Sequence, residues 1–88
     1  MSTEDTVARN MHALWKTVLE VEDVAPDDNF FALGGDSLKA MALMVHIEES
    51  FSMSLDPVEI FETPVFSDFT RLVAEMAGAG RQTEEAVL

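Results

Sequence analysis

Helical periodicity runs through most of this chain, and the points where it breaks set how many helices the fold can hold. Val7, Met11, Leu14, Trp15 and Val18 fall at i, i+4, i+7, i+8 and i+11, one apolar face of a helix expected from about residue 3 to residue 20. Ser2 or Thr3 can cap it, with Glu4 and Asp5 near its positive N-terminal end. A second helix is expected to begin near Asp36-Ser37 and to reach Phe51. Asp56-Pro57-Val58-Glu59 reads as a third helix start, with an acid at the N-cap, Pro at the first position and Glu at the third. Pro64 stops that helix after Phe61 and Glu62, because the residue before a proline is pushed out of the helical region. Ser67 is placed to cap a fourth helix, in which Phe69, Leu72, Val73 and Met76 recur at i, i+3, i+4 and i+7 and which Gly78 and Gly80 should end. Residues 79–88 lack a clear period and are expected to form a flexible C-terminal tail beyond a domain spanning 1–78. No stretch alternates convincingly as a strand, and no internal repeat occurs. The expected fold is all-α: a four-helix bundle with a long first loop and a short third helix.

Residues 20–36, EVEDVAPDDNFFALGGD, interrupt the period. The six acids there (Glu20, Glu22, Asp23, Asp27, Asp28, Asp36) have no base among them, yet Phe30, Phe31 and Leu33 require burial. The segment is therefore a connection pinned onto a core, and connections this long in compact domains are usually functional.

Eighty-eight residues allow one small domain, and 48% hydrophobic content is enough for a compact core. Seventeen Asp and Glu against five Lys and Arg give a net charge of −12. Such a chain is repelled by nucleic-acid backbones and anionic membrane surfaces, so neither is expected as a partner; basic-faced proteins are. The plainer effect of the acid is solubility. There is no cysteine, hence no disulfide, thiolate metal site or thiol nucleophile. MSTEDTVARN is polar and acidic where a signal peptide would be basic and then apolar, and the apolar stretches are too short to span a bilayer. A soluble, cytoplasmic monomer is expected.

The second helix carries one apolar stripe more than a small domain needs. Ala40, Leu43, Met44, Ile47 and Phe51 cover one side; Leu38, Met41, Ala42 and Val45 cover much of the other. The first stripe holds the larger core candidates. The second begins directly beside Ser37 and is expected to be an exposed partner-binding face, the competing reading being a central helix buried on both sides. Methionine adapts its shape to different partners, and Lys39, Glu48 and Glu49 nearly cancel in charge, so docking there should be led by apolar contact.

GGDSL at positions 34–38 leaves two chemistries to weigh: Ser37 as a nucleophile, or Ser37 as a hydroxyl to which a group is attached. A catalytic serine needs a base within hydrogen-bond reach, a group orienting that base, and an oxyanion hole. Gly-Asp-Ser-Leu is also a signature of serine esterases, but those resemble one another in a much longer α/β fold with a downstream Asp-x-x-His. Here the residues three before His12 and His46 are Arg9 and Leu43, and His46 lies nine positions along the same helix as Ser37, more than two turns away. His46 reads as a solvated helix residue and His12 as a half-buried one. Asp27-Asp28 and Glu48-Glu49 read as solvated acids, no calcium-loop spacing is present, and no metal site is expected. Gly34-Gly35 lacks the lysine spacing of a phosphate-binding loop. Attachment fits instead: a serine at a helix N-terminus after two glycines is accessible, and the positive helix end favours a phosphoester borne on it. Gly34 and Gly35 allow a tight reversal and leave room for a modifying enzyme, while Asp36 sets a carboxylate beside the hydroxyl, where it could help hold a metal or proton acceptor that the enzyme supplies.

DNFFALGGDSLKAM, residues 28–41, resembles the phosphopantetheine attachment motif of carrier proteins, and the run from Leu55 through FETPVFSDF to Phe69 resembles their third and fourth helices. The resemblance covers about residues 7–77. It implies a non-catalytic four-helix carrier whose Ser37, supported by Gly35, Asp36 and Leu38, accepts covalent 4′-phosphopantetheine from coenzyme A through a magnesium-using phosphopantetheinyl transferase. The arm's thiol then holds cargo as a thioester for delivery from an adenylating or acylating enzyme to condensing or tailoring enzymes, at high local concentration. Leu38, Met41 and Val45 match the family's partner-facing positions. Leu-Gly-Gly-Asp-Ser and Phe-Glu-x-Pro are similar to peptidyl carriers of nonribosomal peptide (secondary metabolite) synthesis. Fatty-acid carriers more often have Ala at the position of Gly35 and acids along the second helix, a pattern from which Lys39 and Ala42 depart; the charge of −12 leans back towards acyl carriers of polyketide or fatty-acid type. A remote third reading is an unmodified acidic interaction module in which Ser37 only caps the helix.

Overall fold

The computed structural model describes the backbone of residues 3–87 and the side chains of residues 4–78. It contains α1 (Thr3–Leu19), α2 (Ser37–Phe51), α3 (Val58–Glu62) and α4 (Phe66–Val87) in that order. Of the two expected caps, Ser2 lies outside the described residues, and Thr3 is already the first helical residue. α1 packs against both α2 and α4. Its buried face is the predicted one, Val7, Met11, Trp15 and Val18, with Leu14 packed beside it. The Trp15 ring lies at the centre, fully buried, edge-on to Phe30 at 5.1 Å and to Phe66 at 5.0 Å and tilted against Phe69 at 6.1 Å. Offset and edge contacts of this kind add to the burial of the rings themselves.

α1 ends where Glu20 turns left-handed, at φ 57°, and Val21 N–H donates to the Lys16 carbonyl at 3.2 Å. The long loop then runs back along the start of α4 and is stitched to it through the backbone. Phe30 N–H donates to Pro64 O at 2.8 Å, Phe66 N–H to Asp28 O and Ser67 N–H to Pro26 O, both at 2.9 Å, around a single antiparallel bridge between Asn29 and Val65. Asn29 Oδ1 accepts from the N–H groups of Phe31 and Ala32, which turns the chain so that Phe30 points inward. On the other flank His12 Nε2 meets Asp23 Oδ1 at 3.0 Å. The Val24 N–H, and after it the His12 ring, hold the Asp23 carboxyl below the ordinary aspartate range.

Both ends of α4 differ from expectation. Ser67 is not the cap of α4, which begins one residue earlier at Phe66; the first-turn donors of Phe66 and Ser67 are taken by loop carbonyls, so no side-chain cap is required. Nor does α4 stop at Gly78 or Gly80. It continues to Val87, so the stretch expected as a loose tail from residue 79 is helical to that point. Glycine costs a helix only about 1 kcal/mol relative to alanine, and the residues around these two are mostly good helix formers. α3 forms where expected but starts one residue later: Pro57 is its N-cap, with no side-chain cap bond there, while Asp56 Oδ1 accepts from Val58 N–H at 2.9 Å and Ile60 anchors the short helix in the core. No helix among the described residues is long and apolar enough to cross a membrane.

Truncating the central ring tests this packing. Trp15→Ala should cost about 3–5 kcal/mol, since it removes the largest buried side chain. Against a total of about 5–15 kcal/mol for a natural domain, that is a large fall in the urea midpoint followed by far-UV circular dichroism. A loss below about 1 kcal/mol would show that the core is not organised on Trp15.

Candidate attachment site at the head of α2

The two glycines before α2 do different things. Gly34 has φ +103°, a left-handed conformation that side chains resist, while a Cβ built on it would meet nothing within 4 Å. Gly35 is restricted by space: a Cβ there would run into the Phe30 ring and lie 2.7 Å from the Phe30 carbonyl oxygen. Its small size accommodates the core beneath it. Leu33, Gly34 and Gly35 donate in turn to Asn29, Phe31 and Phe30 carbonyls at 3.0, 3.1 and 3.0 Å, so the whole approach to the serine is hydrogen-bonded.

Asp36 follows in an extended conformation (φ −149°, ψ −174°) and is the N-cap of α2, its Oδ1 accepting from Lys39 N–H at 2.9 Å. Lys39 Nζ reaches back to Gly34 O at 3.4 Å. Ser37 is therefore the first helical residue and is exposed. The capping role that the interaction-module reading gave to Ser37 belongs to Asp36, which leaves the hydroxyl free for chemistry. Neither histidine stands beside it. His46 lies nine residues along the helix, about 13 Å in rise, with Nδ1 3.9 Å from Glu49 Oε1, and His12 is engaged with Asp23. Among the described residues no cluster of three or more His, Asp or Glu could hold a metal ion.

α2 divides as its two stripes predict. Ala40, Leu43, Met44 and Ile47 are buried and Phe51 is partly so. Leu38, Met41 and Val45 are 78%, 58% and 55% exposed, with Ala42 exposed between them. A helix buried on both sides is thereby excluded. Apolar exposure is not confined to α2: Val58 and Phe61 of α3 are also exposed, and the Phe61 ring stacks on Phe31 at 5.0 Å with 24° between planes. A five-residue helix is too short for its periodicity to show which residues face outward.

The site offers a primary hydroxyl on an exposed helix N-terminus, bordered by apolar surface. The positive end of α2 suits the negative charge of a phosphodiester on Ser37, and the open surroundings leave space for the arm, so these residues fit a covalently held phosphopantetheine. Bundle and site together define a carrier domain. The chain belongs to the phosphopantetheine attachment site family, whose model matches residues 10–73; the prosthetic group of that family is covalent 4′-phosphopantetheine. Over 74 residues, 84% of the chain, it is 38% identical to a probable non-canonical nonribosomal peptide synthetase, CymA, of Salinispora arenicola (strain CNS-205), of which it spans 1%. Among solved structures it is similar to BlmI, a type-II acyl-carrier-protein from Streptomyces verticillus involved in bleomycin biosynthesis, with TM-score 0.78 and 27% identity over 83% of this chain and 88% of that one. It is likewise similar to a chain in the structure of the phosphopantetheine transferase Sfp with coenzyme A and a peptidyl carrier protein, with TM-score 0.74 and 30% identity over 78% of this chain and 90% of that one.

Met41→Asp should leave stability within about 0.5 kcal/mol of wild type, because the side chain is largely solvated, whereas Ile47→Asp should unfold the domain by burying an unpaired charge. Thermal melts of the two variants check this. Comparable destabilisation by both would put the outer stripe in the core.

Proposed function

We propose that this chain is a peptidyl carrier of nonribosomal peptide biosynthesis, modified at Ser37. The observation that carries the reading is an exposed serine at the start of α2, with the N-capping duty taken by Asp36. In the modification, Ser37 Oγ bonds to the pantetheine-bearing phosphorus of coenzyme A, the pyrophosphate P–O bond breaks, and adenosine 3′,5′-bisphosphate leaves. A transferase supplies magnesium and takes up the serine proton. The attached arm provides the thiol on which cargo is held as a thioester. The chain itself does no catalysis: it displays the serine, keeps the arm in solvent, and presents Leu38, Met41, Ala42 and Val45 to partner enzymes. Those partners are a phosphopantetheinyl transferase, an adenylating enzyme and the condensing or tailoring enzymes that follow, met one at a time by a cytoplasmic, monomeric domain. The likeness to a nonribosomal peptide synthetase and to a structure containing a peptidyl carrier supports this assignment.

A second reading, an acyl carrier of polyketide or fatty-acid type, draws on the net charge of −12. The near-neutral α2 weighs against it, since the acids lie mostly away from the face that would dock.

Incubation with coenzyme A, magnesium and a promiscuous phosphopantetheinyl transferase should raise the intact mass by about 340 Da, and Ser37→Ala should abolish the gain. A folded wild-type sample that gains nothing would overturn the carrier assignment in favour of an unmodified interaction module.

A further inference from the structure

We propose that Phe30 is a positioning residue for the modification of Ser37, acting through Gly35; the inference rests on the assignment of Ser37 as the attachment point. Phe30 is fixed from three sides. Its ring is fully buried and lies edge-on to Trp15 of α1 at 5.1 Å and to Phe31 at 5.4 Å. Its N–H is held by Pro64 O at 2.8 Å, at the entrance to α4. Its carbonyl accepts from Gly35 N–H at 3.0 Å. Gly35 then lies flat on this residue, so close that a methyl group at Cα would overlap the ring and approach the carbonyl oxygen to 2.7 Å. The ring cannot swing aside, because Trp15 walls it in, and close-packed interiors yield little to an added carbon. One residue further on, Asp36 caps α2, and Ser37 follows. The location of the nucleophile is thus set by a contact between the core and the loop, transmitted over two residues, as well as by the helix it heads. Phe30 is also what dictates glycine at position 35, whereas Gly34 is dictated by its own backbone angle.

A nucleophile held by such a contact loses turnover when the contact is disturbed, because small misplacements of a reacting group carry large rate penalties. Docking is led by the outer stripe of α2, whose side chains the substitution does not alter. Gly35→Ala should therefore lower kcat for transfer from coenzyme A by roughly tenfold to a hundredfold with KM for the carrier nearly unchanged. Phe30→Leu introduced into that variant removes the ring overlap, though not the close approach to the carbonyl oxygen, and should restore at least roughly threefold of the lost kcat, a coupling that independent sites do not show. Gly34→Ala, strained but not in contact with Phe30, should gain nothing from Phe30→Leu. Wild-type turnover in Gly35→Ala, or a double variant no faster than the single one, would overturn the proposal.

Should Gly35→Ala fail to fold by circular dichroism, Phe30→Leu alone decides: it should lower kcat several-fold at unchanged KM, and an unchanged kcat would overturn the proposal. Hydrogen exchange at Lys39 N–H separates this inference from the one beneath it. That amide bonds to the Asp36 cap, and Gly35→Ala should speed its exchange whether or not Ser37 is ever modified. If wild type gains no mass, the attachment assignment fails; if the Lys39 amide is unmoved in a folded Gly35→Ala variant, the positioning of α2 by Phe30 fails.

Discussion

The contact on which the structure turns is the edge-to-face packing of Phe30 against Trp15. Trp15 belongs to a helix that packs against both α2 and α4, and Phe30 belongs to the loop that leads to Ser37. Through this pair, a segment with six acids and no base is held to an apolar core. The backbone bonds from Pro26, Asp28 and Pro64 fasten the same segment to the first turn of α4, and they satisfy donors there that a capping side chain would otherwise serve. A loop tied at this many points loses its conformational freedom when the domain folds rather than each time a partner arrives. That is the behaviour expected of a segment whose task is to present a reactive group in one place.

α2 then performs two tasks on opposite sides. Burying Ala40, Leu43, Met44 and Ile47 against α1 stabilises the fold, at about 25 cal/mol for each Å² of apolar area removed from water. Leaving Leu38, Met41 and Val45 exposed forgoes that gain, and no folding benefit offsets it. An apolar stripe retained in water next to Ser37, the proposed attachment point, suits transient docking by successive enzymes, where contact must form and break readily. The acids of the chain lie mostly elsewhere. They repel nucleic-acid backbones and anionic membrane surfaces, and few of them lie on the outer stripe of α2.

Much of this was legible before any coordinates. The 3.6-residue period marked α1 and α2 to within a residue or two because their buried faces are long and regular. Asp56-Pro57 announced α3 through capping chemistry that is entirely local. The surplus stripe beside Ser37 emerged from counting apolar faces, and the exposures bear out that division. What escaped notice depends on non-local partners. Backbone bonds between the loop and α4 leave no side-chain signature, so Ser67 looked like a cap when Pro26 already held its N–H. The reason for Gly35 resides in a ring five residues earlier and in the tryptophan behind it, and no spacing rule encodes that contact. The Phe31–Phe61 stack joins a loop to a helix too short to show a period. Gly78 and Gly80 looked like terminators because local preference is only a weak guide inside an otherwise favourable helix.

The central claim is that the outer side of α2, headed by Ser37, is the working face of the domain. Its most direct test is a titration of isotopically labelled Ser37→Ala chain, which cannot turn over, with unlabelled phosphopantetheinyl transferase and coenzyme A, followed by backbone amide shifts. The account predicts that perturbations concentrate between Gly34 and Val45 and leave the amides of α1 in place. Perturbations centred on α1 or α4, with the first turns of α2 unmoved, would contradict it.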